Sequence, residues 1–94
     1  MIYFISNSNI SRRYLKMAVN KEELIKKIGH RLKLMRVAAQ MEQSKLAEKT
    51  GIKQGNISTY ERGVRTINIV DLFKLAEGLG CKASDIIDLE RALV

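Results

Sequence analysis

Between Gln43 and Gly63 the chain has room for two short helices and very little between them, and this constrains the fold more than any other feature. Leu46 and Ala47 give the first helix an apolar side. Ile57 and Tyr60, three apart, give the second its own stripe, and Gly63 stands where a C-cap glycine is expected. Gly51 lies between the two, at the residue where the chain must leave one helix and turn into the next. Lys53 to Asn56 then fill the opening turn of the second helix. That turn is polar, partly positive and free of carboxylates, and it is the part of such a unit that can enter a DNA major groove.

The rest of the chain supplies helices to pack around this pair. Asn20 is a candidate N-cap, with Glu22 and Glu23 in the first turn of a helix expected over 21–38. Leu24, Ile28, Leu32 and Met35 recur at three- and four-residue intervals along it, with Ile25 and Val37 alongside. Lys26, Lys27, Arg31, Lys33 and Arg36 occupy its polar side, as on many solvated helix faces. Gly29 inside it costs about 1 kcal/mol relative to alanine unless another helix approaches closely.

The two central helices are expected at about 43–49 and 54–62. After a loop from Gly63 to Ile67, Asn68 and Asp71 form a capping-box-like start to a fourth helix over about 69–78, which Gly78 and Gly80 terminate. Val70 and Phe73, and then Leu72, Leu75, Ala76 and Leu79, lie on adjoining apolar strips. A fifth helix is expected over about 83–91, carrying Ile86, Ile87, Leu89 and, beyond it, Leu93. No strand pattern follows residue 5.

The expected domain is therefore residues 21–94, all-α, preceded by a poorly specified arm over residues 1–20. In that arm Ile2 to Ile5 suit a short strand, Arg12, Arg13 and Lys16 suit DNA-backbone contacts, and Met17 is an alternative start.

Charge narrows the partner. The formal net charge is +7, and it is unevenly spread: residues 21–65 carry 11 basic and 5 acidic groups, whereas residues 66–94 carry 3 and 5. The positive field accompanies the helix pair, which favours nucleic acid first and an anionic membrane surface second. Ninety-four residues bury one modest core. Cys81 is the only cysteine, so an intrachain disulfide is excluded, and its setting suits a small core residue. No run approaches transmembrane length, and Met1 to Ile5 is too short for a signal-peptide core. A cytoplasmic location is expected. His30 is the only histidine and has no acidic cluster near it. No zinc-ligand set, nucleotide-binding glycine loop or nucleophile–base–acid spacing occurs, so neither an enzyme nor a metal or other cofactor is expected.

Taken in order, Arg31-Leu-Lys-Leu-Met-Arg36, Gln43-Ser-Lys-Leu-Ala47, Gly51-Ile-Lys-Gln-Gly-Asn-Ile-Ser58, Glu61-Arg-Gly63, Leu72-Phe-Lys-Leu-Ala76 and Leu79-Gly-Cys81 resemble the Cro/C1-type helix-turn-helix family of phage and bacterial repressors, over roughly residues 25–88. The resemblance implies a compact five-helix domain of the lambda-repressor-like type, with the third helix as recognition helix. Leu46, Ala47, Gly51, Ile57, Leu72 and Ala76 fall on the family's structural positions. Arg36 and Glu61 match an arginine–glutamate pair that joins the first and third helices and presents a guanidinium near a phosphate. On the residues alone the same pair reads equally as a surface ion pair of under about 1 kcal/mol.

The resemblance further implies base contacts from Lys53, Gln54, Gly55 and Thr59, with Asn56 and Ser58 nearby. Phosphate contacts are implied for Arg36, Gln43, Arg62 and Arg65. Three positions depart from the pattern: Glu42 stands before the second-helix glutamine, Ile67 replaces a common proline, and Lys82 replaces a serine or threonine cap.

The function implied is a sequence-specific double-stranded-DNA-binding transcriptional regulator, a repressor acting as a homodimer on an inverted repeat, with Ile86, Ile87, Leu89 and Leu93 as dimer surface or, equally, as residues that complete the small core. The family also includes antitoxins, which imply a toxin partner, and restriction–modification controllers. A protein-interaction adaptor with salt-insensitive binding is the competing reading from another class.

Overall fold

The structure, a computed structural model, describes residues 20–89. The proposed strand at Ile2–Ile5, the basic residues Arg12, Arg13 and Lys16, the alternative start at Met17, and Leu93 lie outside the described residues. Five helices follow one another: α1 (Lys21–Ala38), α2 (Gln43–Thr50), α3 (Gln54–Glu61), α4 (Ile69–Leu79) and α5 (Ala83–Ile86). No strand occurs among the described residues, and no helix there is long and apolar enough to cross a membrane.

Local chemistry sets each boundary. The Asn20 side chain accepts a hydrogen bond from the Glu23 amide at 3.1 Å, opening α1. Asn68 does the same for the Asp71 amide at 2.7 Å, opening α4. Two amides that the helix itself leaves orphaned are satisfied in this way. Helix α1 closes through Gln40, whose φ of +56° is left-handed, with the Gln40 amide donating to the Val37 carbonyl at 2.9 Å and the Met41 amide to the Arg36 carbonyl at 3.2 Å. This is the Schellman arrangement, with glutamine at the residue usually given to glycine.

Leu32, Leu46, Ile52, Ile57, Tyr60, Leu72, Leu75, Ala76 and Ile86 form the buried core. Helix α1 packs on α3 and α5, α2 packs on α3 and α4, and α4 packs on α5. Full burial of residues the size of Leu46 or Ile57 contributes about 1.5–3 kcal/mol apiece. Gly29 is buried because α1 crosses the C-terminal end of α3 there; a methyl group at residue 29 would overlap the Tyr60 carbonyl oxygen. The close approach that would justify a mid-helix glycine is thus present.

Several sequence expectations are corrected. Val37 is 54% exposed and belongs to the outer side of α1. Only one of the two apolar strips of α4 enters the core: Leu72, Leu75 and Ala76 are buried, whereas Val70 and Phe73 face solvent together with Ile69. Gly78 does not end α4. It lies within the helix, close against Leu46 and Thr50 of α2, and the left-handed cap is Gly80. Helix α5 ends at Ile86 and not near residue 91. Ile86 is fully buried and Leu89 is 8% exposed, so both complete the core of a single chain; of the proposed dimer-surface residues described, only Ile87 is exposed.

Candidate nucleic-acid interface

Helices α2 and α3 meet at a corner of three residues. The Thr50 hydroxyl donates to the Leu46 carbonyl at 2.7 Å and accepts from the Ile52 amide at 3.2 Å, tying the end of α2 to the start of the turn. Gly51 takes φ +78°, in the left-handed region, and its amide donates to the Ala47 carbonyl at 2.8 Å. Ile52 then drops into the core. Leu46, Ile52 and Ile57 anchor the unit from beneath, with Ala47 packed against the same core.

Helix α3 starts after Lys53, whose extended backbone makes it the N-cap, and no side chain caps its first amides. The first turn contains no acidic residue. Lys53, Gln54 and Gly55 are exposed; Asn56, Ser58 and Thr59 are half-buried along the flank; Ile57 and Tyr60 face inward. A methyl group at residue 55 would meet nothing within 4 Å, so another surface can approach the backbone closely there. The Thr59 hydroxyl donates to the Asn56 carbonyl at 2.8 Å, and Arg62 and Arg65 are exposed beyond the helix end.

Three groups converge beneath this helix. Arg36 of α1 donates through Nε to Glu61 Oε2 at 2.6 Å and through Nη2 to Glu61 Oε1 at 3.0 Å. Gln43, the first residue of α2, donates through Nε2 to Glu61 Oε1 at 2.9 Å. The third Arg36 nitrogen, Nη1, donates to the Met41 carbonyl at 2.8 Å. The Arg36 and Glu61 side chains retain 11% and 2% of their exposure, so this is not the surface ion pair that the residues alone also allowed.

A fork-to-fork pair in this setting is charge-assisted and directional. The Glu61 hydrogen bonds raise the Arg36 pKa above its ordinary value despite the opposing cost of burial. One carboxylate therefore holds the end of α3 against both α1 and the start of α2.

The sequence treated Asn68 and Asp71 as capping residues and Tyr60 as an apolar contact. The structure joins them. Tyr60 is 1% exposed, and its hydroxyl donates to Asp71 Oδ2 at 2.5 Å while accepting from Asn68 Nδ2 at 3.4 Å. Burial first, and then the bond to Asp71, push the Tyr60 phenol up to about 12. Arg65 returns along α3, placing its guanidinium carbon 6.0 Å from the centre of the Tyr60 ring and donating Nη1 to Asn56 Oδ1 at 2.8 Å. The only sequence signal for either network is the polar capping pair itself.

Among the described residues no group of histidine, cysteine and carboxylate side chains could hold a metal ion, and His30 is exposed. Cys81 is half-buried against the core, and burial raises its thiol pKa. The expected N-terminal capping weakness at Lys82 is partly made good, since the Asp85 carboxylate accepts from the Lys82 amide at 3.0 Å.

Residues 32–86 match the family described as helix-turn-helix. Among solved structures, the chain is similar to the restriction-modification controller protein C.AhdI from Aeromonas hydrophila, with 31% identity and a TM-score of 0.64. The match covers 68% of this chain and 96% of that one. No curated protein matches the chain.

Proposed function

Because this chain belongs to the Cro/C1-type helix-turn-helix family of DNA-binding transcriptional regulators, we propose that it represses by occupancy, as two copies seated on an inverted repeat, without catalysis. The observation that carries this reading is the opening turn of α3. It is exposed, uncapped and free of carboxylates, and the buried Arg36–Glu61 pair, joined by half-buried Gln43, holds the helix from beneath.

Lys53 can reach guanine O6 or N7, and Gln54 can bond bidentately to adenine. Gly55 lets the backbone approach, while Asn56, Ser58 and Thr59 line the flank. Arg62 and the N-terminus of α2 at Gln43 meet phosphates, which fixes register on the duplex. Arg36 takes the supporting role, because its nitrogens are already committed to Glu61 and Met41. Work on chromosomal or phage DNA places such a regulator in the cytoplasm. The similarity to a restriction-modification controller supports that kind of regulatory target.

One α3 reads too few base pairs for high specificity, which supports a dimer with half-sites about 34 Å apart. Its face is on α4, in place of the expected Ile86 and Leu89. Ile69, Val70 and Phe73 are 59–65% exposed side by side. Lys74 and Glu77 border the same shallow groove. Under two-fold symmetry each Lys74 can meet the other copy's Glu77, so the patch is self-complementary in charge as well as apolar. Phe73→Glu should leave a folded chain that sediments as a monomer.

The test is selection from a random double-stranded library. An enriched inverted repeat with about one-turn spacing supports the reading. A library that stays flat with folded protein overturns it.

A further inference from the structure

We infer that Arg65 sets the hydrogen-bonding polarity of Asn56, so that the two residues act as one donor-only unit that selects an acceptor-bearing base edge, guanine above all, and disfavours adenine. The inference rests on the reading of α3 as the recognition helix and adds a specificity-determining role for a residue outside it.

An unconstrained asparagine is ambivalent: its amide nitrogen donates, its oxygen accepts, and together they match the N7 acceptor and N6 donor of adenine. Asn56 is constrained. Arginine has no acceptor, so the atom that receives Arg65 Nη1 at 2.8 Å must be the amide oxygen, and the amide orientation follows from chemistry. What remains for a ligand is the NH2 group with its two donors. The oxygen keeps a second lone pair, but a base amino group approaching it would bring positive hydrogens up to a guanidinium. The unit therefore offers donors and positive potential, which suit the N7 and O6 acceptors of guanine.

Arg65 is held in place for this task. Its guanidinium carbon lies 6.0 Å from the centre of the Tyr60 ring, within cation–π range, and that ring is itself buried. The phenol is fixed by the 2.5 Å bond to Asp71 and the 3.4 Å bond from Asn68. Gly63, at φ +71°, turns the chain back toward α3, and the Val64 amide donates to the Thr59 carbonyl at 3.2 Å. Arg65 thereby reaches the first turn of a helix that ended four residues earlier. On the sequence alone Arg65 is a phosphate contact, which would weaken all DNA sequences alike.

These two roles are separable by experiment. Binding of the full chain is measured against operators selected from a random library, with each base pair varied, for wild type, Asn56→Ala, Asn56→Asp and Arg65→Ala at one salt concentration. The position read by Asn56 is the one whose preference disappears in Asn56→Ala. Wild type should favour guanine there. Arg65→Ala should move that position toward adenine by about tenfold in relative affinity while the other positions keep their preferences. Asn56→Asp keeps an acceptor for Arg65 but removes the donors, and should abolish the guanine preference; circular dichroism confirms that each variant is folded.

If Arg65→Ala weakens every sequence equally with no change at that position, the pairing is overturned and Arg65 is a backbone contact. A guanine preference that survives Asn56→Asp overturns it as well. If the wild-type chain enriches no sequence at all, the proposed function fails and this inference fails with it. An enriched operator with an unresponsive Asn56 position overturns the inference alone.

Discussion

Gly29→Ala and Gly55→Ala are the same chemical change in two helices of one domain, and they should move stability in opposite directions. Both remove a glycine from a helix, which by itself favours the alanine variant by up to about 1 kcal/mol. At residue 55 the new methyl group meets nothing within 4 Å, so most of that gain should survive. At residue 29 it would overlap the Tyr60 carbonyl oxygen and lie 3.1 Å from the Glu61 carbonyl oxygen and 3.2 Å from the Gly63 amide nitrogen. All three neighbours are backbone, so no side-chain rotation gives relief, and α1 must move off α3.

Overpacking of this kind costs about 1–3 kcal/mol, occasionally more. The same separation loosens the Arg36–Glu61 bonds, which favours the upper part of that range. After the propensity gain, Gly29→Ala should lose about 2 kcal/mol. A domain of this size loses roughly 4–8 °C in melting temperature per kcal/mol, so the expected fall is about 10 °C or more, against a rise of a few degrees for Gly55→Ala. Thermal melts followed by circular dichroism, with urea midpoints as a second measure, read both signs. If Gly29→Ala melts at or above the wild-type temperature, the close α1–α3 contact is wrong.

Four further outcomes are expected. Glu61→Ala leaves the buried Arg36 guanidinium without its carboxylate and should cost about 3–5 kcal/mol, whereas the double change Arg36→Met with Glu61→Leu should recover much of it in urea titrations; a loss under 1 kcal/mol would mean the pair behaves as a surface one. Gln40→Gly relieves a left-handed residue and should stabilise by about 0.5–1 kcal/mol, read as a shifted denaturation midpoint with unchanged slope. Tyr60 is raised from 10 in the unfolded chain to about 12 in the folded one, so its contribution is intact below pH 10 and is lost as pH rises toward 12. Tyr60→Phe should remove that component, so the difference between the two stability–pH curves should shrink across this window; parallel curves would refute it. Finally, Gln54→Ala should cost about 1–3 kcal/mol at one base pair, while Arg62→Ala should weaken all sequences alike and reduce the salt slope by about one.

How much of this was legible in the chain varies with the range of the interaction involved. Asn20 and Asn68 were readable as caps because each bonds an amide three residues away, and Gly51 was readable as a corner because its conformation is a local property of a residue without a side chain. Gly78 is ambiguous for a related reason: a glycine near a helix end resembles a terminator, and only the approach of Leu46 and Thr50 shows that it is a contact point. The exposed opening turn of α3 was visible from its polarity. The Arg65 bridge to Asn56 was not, since no periodic pattern links a loop arginine to a residue nine positions before it.

The sequence by itself determined the order of the helices, the asparagine caps that open α1 and α4, the tight corner and the concentration of positive charge, because each depends on neighbours within a turn or on simple composition. Which apolar residues are spare was decided only by tertiary structure. Val70 and Leu72 sit two residues apart on one helix with similar hydropathy, yet one is exposed and the other buried. The same holds for Ile86 and Ile87. A core of this size has a limited inner surface, and which strip of an amphipathic helix fills it depends on the angle at which α2 and α5 arrive. That angle is set by contacts such as Gly78 on Leu46 and Thr50, and Arg31 on the Asp85 carbonyl, made between residues far apart in the chain.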